Sequence, residues 1–336
     1  MVARPSTNTK AAQDTKATRN LLNLGVSAAF RWWHGRHLSC MQLVGTKVCL
    51  IRGLEGRLVG PLPLVRRCLL GPGIRRGPLE PLGQVIGGES TARLQSGREP
   101  SGKGSTVRVM DIILIGGLWL PASIWADVAA ELNALGHRPI ALALPGVDDG
   151  STDASLDDQL AAALAAVDAA QRPLVVAHSA ACTLAWLVAD RRPDAIAGVV
   201  MIGGFPAAHG SPYADFFPAV DGAMPFPGWE PFDGPDSDDL DHDARAHIES
   251  VAVPVPATVS TAMVELFDNR RLGVPVVLVC PEFSAEQAKA WLAEGQIPEL
   301  ANAEHLSFVD INSGHWPMVT RPDELARLID DAAKVV

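Results

Sequence analysis

Ser179 lies where a short apolar segment meets a run of helix-forming residues, and this position could make its hydroxyl a nucleophile. Residues 174–177 are long enough for a buried strand, and residues 180–190 predict a helix. A serine on so sharp a strand-to-helix turn is strained, and its hydroxyl is exposed at the carboxyl end of the sheet. Ala177 and Ala181 are small enough for the two backbones to approach closely there. Taken alone, the same spacing also fits a serine that only caps a helix.

A base and a carboxylate follow in the sequence at positions that could complete this chemistry. A serine hydroxyl is a poor nucleophile at neutral pH unless a base lies within hydrogen-bond reach and a carboxylate orients that base. His315 follows the last predicted strand, and Glu282 follows the strand before it. The loops after parallel strands open on the same edge of a sheet, where ligands bind. We therefore predict that Ser179, Glu282 and His315 meet at this edge.

The segments that must position these residues alternate between strand-like and helix-like patterns. Apolar runs predict buried strands at 111–115, 138–144, 174–177, 198–202, 275–279 and 306–311. Helical spacing predicts helices at 123–135, 156–170, 180–190, 284–295 and 322–333. Ser155 and Asp158 predict a capping box at the start of the second helix. This alternation predicts an α/β fold with a mostly parallel sheet and helices on both faces.

The alternation breaks in residues 204–272, which are rich in proline, aspartate and phenylalanine. We interpret this segment as a cap inserted over the carboxyl ends of the strands, with one helix near 239–251. Its acidic and histidine residues lack the glycine of a calcium loop and the spacing of a zinc motif; they are Asp239, Asp241, His242, Asp243 and His247. We predict that they form a solvated acidic face, and we expect neither a metal nor a cofactor.

Residues 1–109 differ sharply in composition from the rest of the 336-residue chain. They contain 17 Lys and Arg against 5 Asp and Glu, a net charge of +12, whereas residues 110–336 carry −22. Glycine and proline interrupt any period, and the apolar residues 48–51 could form a strand but have no evident partner. We predict a basic extension that is disordered, or a non-native leader with translation starting at Met110. One domain is predicted at 110–336.

Composition also limits the partners that this chain could bind. The acidic charge of residues 110–336 argues against nucleic acid and anionic membranes. Five cysteines at irregular positions indicate neither a disulfide framework nor a metal motif, so we expect a reducing, cytoplasmic environment. No apolar run approaches the roughly 20 residues of a membrane helix. The expected partner is a small-molecule substrate, and the sequence leaves the oligomeric state open.

Several motifs around Ser179 give residues 110–336 a resemblance to the alpha/beta hydrolases. Ala-His-Ser-Ala-Ala at 177–181 resembles the family's nucleophile elbow, and the order serine, acid, histidine along the chain is that of the fold. Gly-Gly-Leu at 116–118 resembles its His-Gly-X turn, and Ser-Gly-His-Trp-Pro at 313–317 resembles the segment that carries its base. Residues 136–146 and 200–206 are also similar to the plant branch that hydrolyses salicylate and methyl esters.

The resemblance implies a carboxylesterase-like serine hydrolase that needs no cofactor. Ser179 would attack an ester-type carbonyl and form an acyl-enzyme. His315 would take the proton of the hydroxyl and return it to the leaving group. The backbone N–H groups of Leu118 and Ala180 would form an oxyanion hole, that of Ala180 because it opens the predicted helix and that of Leu118 by the resemblance alone.

The neighbours of these residues raise further possibilities. Trp119 and Trp316 are candidates for the walls of an apolar substrate pocket, and Trp316 is the stronger because it adjoins the base. His178 adjoins the nucleophile, but its side chain should point away from that of Ser179, so we predict a structural role. The same fold also supports hydroxynitrile-lyase-like enzymes and non-catalytic receptors for small ligands. Both classes stay open as alternatives.

The acid of the implied triad departs from the family pattern. In the methyl-ester-hydrolysing relatives this strand ends in Cys-Thr-Glu-Asp, and the aspartate orients the base. Here the segment is Cys-Pro-Glu-Phe at 280–283, so that Phe283 stands in place of the aspartate. Glu282 is one residue early, but its longer side chain offsets part of the displacement. Asp215 and Asp221 in the cap are the alternatives, and a site with no functional acid is a third.

Overall fold

The computed structural model describes residues 109–336, together with two short strands nearer the amino terminus. These strands are β1 (Cys40–Leu43) and β2 (Thr46–Cys49), which pair antiparallel. Within the apolar segment 48–51, the pairing gives Val48 and Cys49 the partners Met41 and Cys40, which the pattern did not reveal. Only two residues separate the strands in the sequence, which is the commonest spacing of a hairpin. The expected disordered extension or non-native leader otherwise lies outside the described residues.

Within residues 109–336 one parallel sheet of six strands forms the centre of the fold, as predicted. Its strands are β3 (Asp111–Ile115), β4 (Arg138–Ala141), β5 (Leu174–His178), β6 (Gly198–Ile202), β9 (Val276–Cys280) and β10 (Leu306–Asp310). Their order across the sheet is β10-β9-β6-β5-β3-β4, and each neighbouring pair is parallel. The strands β5 and β9, which precede Ser179 and Glu282, are therefore separated by β6 alone.

Helices cover both faces of this sheet. The helices that the structure describes are α1 (Ala126–Ala134), α2 (Leu156–Ala169), α3 (Ala181–Arg191), α4 (His242–Val251), α5 (Ala257–Ser260), α6 (Ala285–Ala293), α7 (Pro317–Thr320) and α8 (Pro322–Val335). Successive strand residues point to opposite faces. Ile113 therefore belongs to the core cluster that includes residues of α2, α3 and α6, whereas Ile112 belongs to the cluster that includes residues of α1 and α8. None of these helices is long and apolar enough to cross a membrane.

Two element boundaries differ from the predicted ones for identifiable reasons. The strand predicted at 138–144 ends at Ala141, because the N–H of Leu144 bonds the carboxylate of Asp148 (2.8 Å) instead of a neighbouring strand. The helix predicted at 123–135 begins as a 3-10 helix at Ala122–Trp125 before it continues as α1. The capping box of Ser155 and Asp158 is present as predicted.

The segment between β6 and β9 forms the predicted insertion and contains little regular structure. Its parts are the two-stranded ladder of β7 (Ala223–Met224) and β8 (Val255–Pro256), the helices α4 and α5, and the 3-10 helices Glu230–Phe232 and Asn269–Gly273. The helix predicted near 239–251 begins later, at His242. Asp241 caps it by accepting the N–H of Ala244 at 2.8 Å.

Candidate active site

Ser179 occupies the sharp turn that the sequence predicts between β5 and α3. Its φ of +55° is rare for a residue with a side chain, and such a conformation persists only where the surroundings enforce it. Its N–H donates to the carbonyl of Ile202 at the end of β6 (2.8 Å). A side chain at Gly204 would collide with the backbone of Ser179. The hydrogen bond to β6 and the close contact with Gly204 therefore hold the turn in place.

The structure brings together the three side chains that the sequence singles out. Ser179 Oγ lies 2.9 Å from His315 Nε2, and His315 Nδ1 lies 2.8 Å from Glu282 Oε1. With Nδ1–H donating to the carboxylate, Nε2 is free to accept the hydroxyl proton of the serine. Gly203, with a φ of +59°, leaves room for this arrangement, since a side chain there would come within 3.2 Å of His315 Nδ1.

The other two carboxylates considered from the sequence lie away from this base. Asp215 and Asp221 are both exposed on the cap, and neither contacts His315. Asp221 lies in a tight turn with a φ of +52°, between the bridged residues Val220 and Ala223. Glu282 is thus the carboxylate in hydrogen-bond contact with the imidazole. Its second oxygen, Oε2, is buried and has no hydrogen-bond partner among the described residues.

Electrostatics around His315 favour the protonated imidazole. Burial lowers the pKa of His315, but the charge and hydrogen bond of Glu282, together with the charge of Asp236, outweigh burial and raise it above its ordinary value. Burial and the charge of Glu282 raise the pKa of Asp236 to about 6, although nearby His315 opposes this shift. Asp236 is therefore a second carboxyl group of the site, beside Glu282, and its own pKa is raised towards neutrality.

Two cap residues that the sequence analysis missed as site residues hold the loop of the base. The N–H of His315 donates to the backbone carbonyl of Asp236 (2.7 Å), and the N–H of Gly314 donates to Asp239 Oδ2 (2.9 Å). A side chain at Gly314 would collide with both aspartates. Asp239 is half-buried, so the predicted solvated acidic face is wrong at this residue, although Asp241 is exposed. Gly314, the residue before the base, is the one feature of the sequence that indicates how closely the cap approaches this loop.

The turn after β3 packs directly against the nucleophile. A side chain at Gly117 would come within 2.7 Å of His178 Nδ1 and 3.1 Å of Ser179 Cβ. Glycine at this position therefore lets the backbone that carries Leu118 approach the serine. Among the described residues, no acceptor is found for the N–H of Leu118 or of Ala180. Two backbone donors near a serine hydroxyl are the components of an oxyanion hole.

His178 contacts the base, His315, through a hydrogen bond and a ring contact. Its Nε2–H donates to the backbone carbonyl of His315 (2.7 Å), and the two rings are 4.7 Å apart. Burial and the neighbouring His315 lower the pKa of His178 well below its ordinary value, so the ring stays neutral. As expected from the sequence, its side chain is not directed at Ser179. Its hydrogen bond stabilises the backbone of His315.

Comparison with known proteins identifies the family of this chain. The sequence model of the alpha/beta hydrolase family matches residues 112–328, well over half of the chain. The chain belongs to the alpha/beta hydrolase family. The resemblance drawn from the motifs around Ser179 is thereby confirmed. A comparison with curated protein sequences finds no match.

Solved structures similar to this alpha/beta hydrolase include several esterases and hydrolases. One is an extracellular alpha/beta-hydrolase from a Paenibacillus species, described as sharing homology with tobacco salicylic acid binding protein 2; it is 18% identical with a TM-score of 0.55, over 66% of this chain and 98% of that one. A pyrethroid hydrolase from Sphingobium faniae JZ-2 is 20% identical with a TM-score of 0.52, over 68% of this chain and 98% of that one. An Arabidopsis methylesterase is 14% identical with a TM-score of 0.54, over 68% of this chain and 100% of that one. At these identities the similarity shows the fold.

The two tryptophans predicted to line a pocket are largely buried in a cluster of aromatic rings. Trp316 packs edge-on against the ring of His315 at 5.0 Å and against Phe232 at 5.3 Å. Trp119 contacts three phenylalanines of the cap, Phe217, Phe226 and Phe232. The cap of this alpha/beta hydrolase therefore joins the base and the turn after β3 through continuous ring contacts. No group of side chains that could hold a metal occurs among the described residues.

Proposed function

We propose that this alpha/beta hydrolase cleaves small esters through an acyl-enzyme on Ser179. The observation that carries the proposal is the continuous contact from Ser179 Oγ to His315 (2.9 Å) and from His315 to Glu282 (2.8 Å). A serine, an imidazole and a carboxylate in this order are the components that activate a hydroxyl for acyl transfer. The strained turn at Ser179 supports the same role, because it presents the hydroxyl at the carboxyl end of the sheet.

The first half of the reaction forms the acyl-enzyme. His315 Nε2 accepts the proton of Ser179 Oγ while the oxygen attacks the carbonyl carbon of the ester. The N–H groups of Leu118 and Ala180 stabilise the oxyanion that results, and each such donor contributes about 3 kcal/mol in other enzymes. The bond to the alcohol oxygen then breaks, and His315 returns the proton to the leaving alkoxide.

The second half releases the acid. A water molecule gives a proton to His315 and attacks the acyl carbon, and the oxyanion again receives the two backbone N–H groups. The bond to Ser179 Oγ breaks, and His315 protonates that oxygen. Glu282 holds the imidazole in the tautomer that these steps require and stabilises its charged form. Because the neutral imidazole is the base, activity is lost as the pH falls through the raised pKa of His315.

The charges of the site favour a small, uncharged substrate. Glu282 and Asp236 are the ionisable acids near the imidazole, and residues 110–336 carry a net charge of −22. An anionic substrate, an anionic membrane or a nucleic acid would be repelled by this field. The half-buried rings of Phe217, Phe226 and Phe232, which pack around the buried Trp119 and Trp316, offer apolar contact to either half of an ester.

A panel of p-nitrophenyl esters of increasing acyl length tests the proposal. We expect steady-state turnover of at least the short esters, and its complete loss in Ser179→Ala. Turnover that survives this substitution would remove Ser179 from the mechanism. Binding of the esters without turnover would support a ligand receptor instead. Cleavage of cyanohydrins with no ester hydrolysis would favour a hydroxynitrile-lyase-like enzyme, which uses no acyl intermediate.

A further inference from the structure

Trp119 has a backbone conformation that the chain must enforce. The N–H of Leu120 donates to the carbonyl of Gly117 (3.2 Å), which closes a turn with Leu118 and Trp119 at its centre. The φ of Trp119 is +67°. A turn with positive φ at its third residue normally has glycine or asparagine there. A bulky side chain in this conformation is a genuine outlier, and such strain concentrates at functional sites.

The backbone and indole of Trp119 are held by the cap from two sides. Its indole N–H donates to the carbonyl of Met224 in β7 (3.0 Å), and its own carbonyl accepts the N–H of Val253 just before β8 (2.8 Å). These partners are more than a hundred residues away in the sequence. Met224 is part of β7 and Val253 lies two residues before its partner strand β8, so both hydrogen bonds come from this ladder and the segment that leads into it. The ladder therefore fixes both the side chain and the following peptide of Trp119.

Ring contacts add a third restraint on the same side chain. The indole lies 5.4 Å from the ring of Phe226, 5.8 Å from Phe217 and 6.2 Å from Phe232, all of them in the cap. Only 6% of Trp119 is exposed. On its other side the turn packs through Gly117 against His178 and the Cβ of Ser179. The turn is thus held between the cap and the nucleophile.

We propose that Trp119 is a positioning residue through which the cap holds the turn at residues 116–120 in the shape that presents the N–H of Leu118 to the substrate. This inference rests on the proposed ester hydrolysis, in which Leu118 is an oxyanion donor. The N–H of Leu118 and the carbonyl of Gly117 belong to one peptide, and the turn fixes this peptide through the hydrogen bond from Leu120 to Gly117. Loss of the turn conformation at Trp119 would break that hydrogen bond and leave the N–H of Leu118 free to reorient. Loss of the cap contacts of Trp119 alone would weaken the oxyanion hole without removing a contact of Ser179, His315 or Glu282.

Two substitutions of Trp119 separate positioning from simple backbone preference. Trp119→Gly relieves the strain and keeps the turn type but removes every side-chain contact with the cap. Trp119→Phe keeps a ring and removes only the hydrogen bond to Met224. Because loss of a whole oxyanion donor costs about 10² to 10³ in kcat, we expect a loss of about tenfold or more for Trp119→Gly and a smaller loss for Trp119→Phe, with KM little changed.

Trp125→Phe is the matched control, because the indole N–H of Trp125 is buried without a partner and its ring packs on the other face of the sheet. It should lower the melting temperature but leave kcat unchanged. Full kcat in Trp119→Gly would overturn the proposal, since glycine would then hold the turn without the cap. An increase in KM alone would also overturn it, because Trp119 would then only contact the substrate.

A second measurement does not depend on ester hydrolysis. Phe226→Leu removes a ring that packs on Trp119 but lies 107 positions further along the chain. We expect faster amide hydrogen exchange in the peptide that contains residues 116–120 of the substrate-free protein, both in this variant and in Trp119→Phe. Unchanged exchange in both would refute the coupling. If the wild-type chain hydrolyses no ester, the proposed function fails while this measurement still decides whether the cap holds the turn.

Discussion

The sheet and the cap contribute to the same site in different ways. The three side chains in hydrogen-bond contact follow β5, β9 and β10, at the carboxyl edge of the parallel sheet. The cap supplies the carbonyl of Asp236 and the carboxylate of Asp239 to the base loop, and the carbonyl of Met224 to the turn after β3. The sheet thus determines where the reacting groups meet, and the cap determines how firmly their loops are held.

The two regions also differ in how they are stabilised. The strands β3, β5, β6 and β9 are buried along their whole length by apolar side chains on both faces. The cap has a two-residue ladder and leaves large apolar side chains exposed, among them Phe216, Val220 and Met263. Segments with few buried apolar contacts open locally at low free-energy cost. Substitutions in the cap should therefore change the site without unfolding the sheet.

The largest effect should come from the sheet-borne acid. Glu282→Gln keeps the size of the side chain but no longer fixes the tautomer of His315 through a charged acceptor. Because the equivalent change in another triad costs about 10⁴ in kcat, we expect a loss of two or more orders of magnitude with KM little changed. Glu286→Gln, an exposed change in the first turn of α6, is the control. A loss of tenfold or less in Glu282→Gln would assign the acid elsewhere.

A smaller effect is expected where the cap holds the base loop. Asp239→Ala leaves the N–H of Gly314 and the hydroxyl of Ser313 without their carboxylate acceptor. Loss of such a partner costs about 1–3 kcal/mol of stability, and a looser His315 should lower kcat by about an order of magnitude. The exposed neighbour Asp238 provides the control, Asp238→Ala. Equal melting temperatures and equal kcat for the two variants would show that Asp239 does not hold the loop.

A change in pH dependence is expected from the second carboxyl group. Above about pH 6 the ionised Asp236 helps to raise the pKa of His315. Asp236→Asn removes that charge, so the pKa of His315 should fall and the neutral base should persist to lower pH. The acid limb of the kcat/KM profile is then displaced towards lower pH, while the plateau changes little. A limb that stays in place, or moves to higher pH, would contradict this electrostatic role.

The smallest effect is expected outside the alpha/beta hydrolase domain. A chain that starts at Met110 keeps every residue of the sheet, the cap and the candidate site. We propose that it folds and keeps the full activity, because residues 1–109 lack periodicity and differ in charge from the rest. The comparison is between kcat/KM values of the full and shortened chains on the same ester. An insoluble or inactive short chain would move the domain boundary towards the amino terminus.

The sequence predicted the sheet well because its signals are local. Apolar runs and capping residues such as Ser155 act within a few positions, so they are visible without the fold. Glu282 could be proposed but not separated from Asp215 and Asp221, because the choice depends on where a loop of the cap lies in space. Asp236 and Asp239 were missed for the same reason. Their contacts join segments more than seventy residues apart, and an acidic run gives no sign of which carboxylate is turned inward.

Covalent labelling shows whether Ser179 is the nucleophile. The full-length chain and Ser179→Ala are treated with a fluorophosphonate, and adducts are located by mass spectrometry of the intact proteins and of the peptide that contains Ser179. We expect one adduct per chain on Ser179, and none in Ser179→Ala at an unchanged melting temperature. Equal labelling of the variant, or a wild-type chain that forms no adduct, would contradict it.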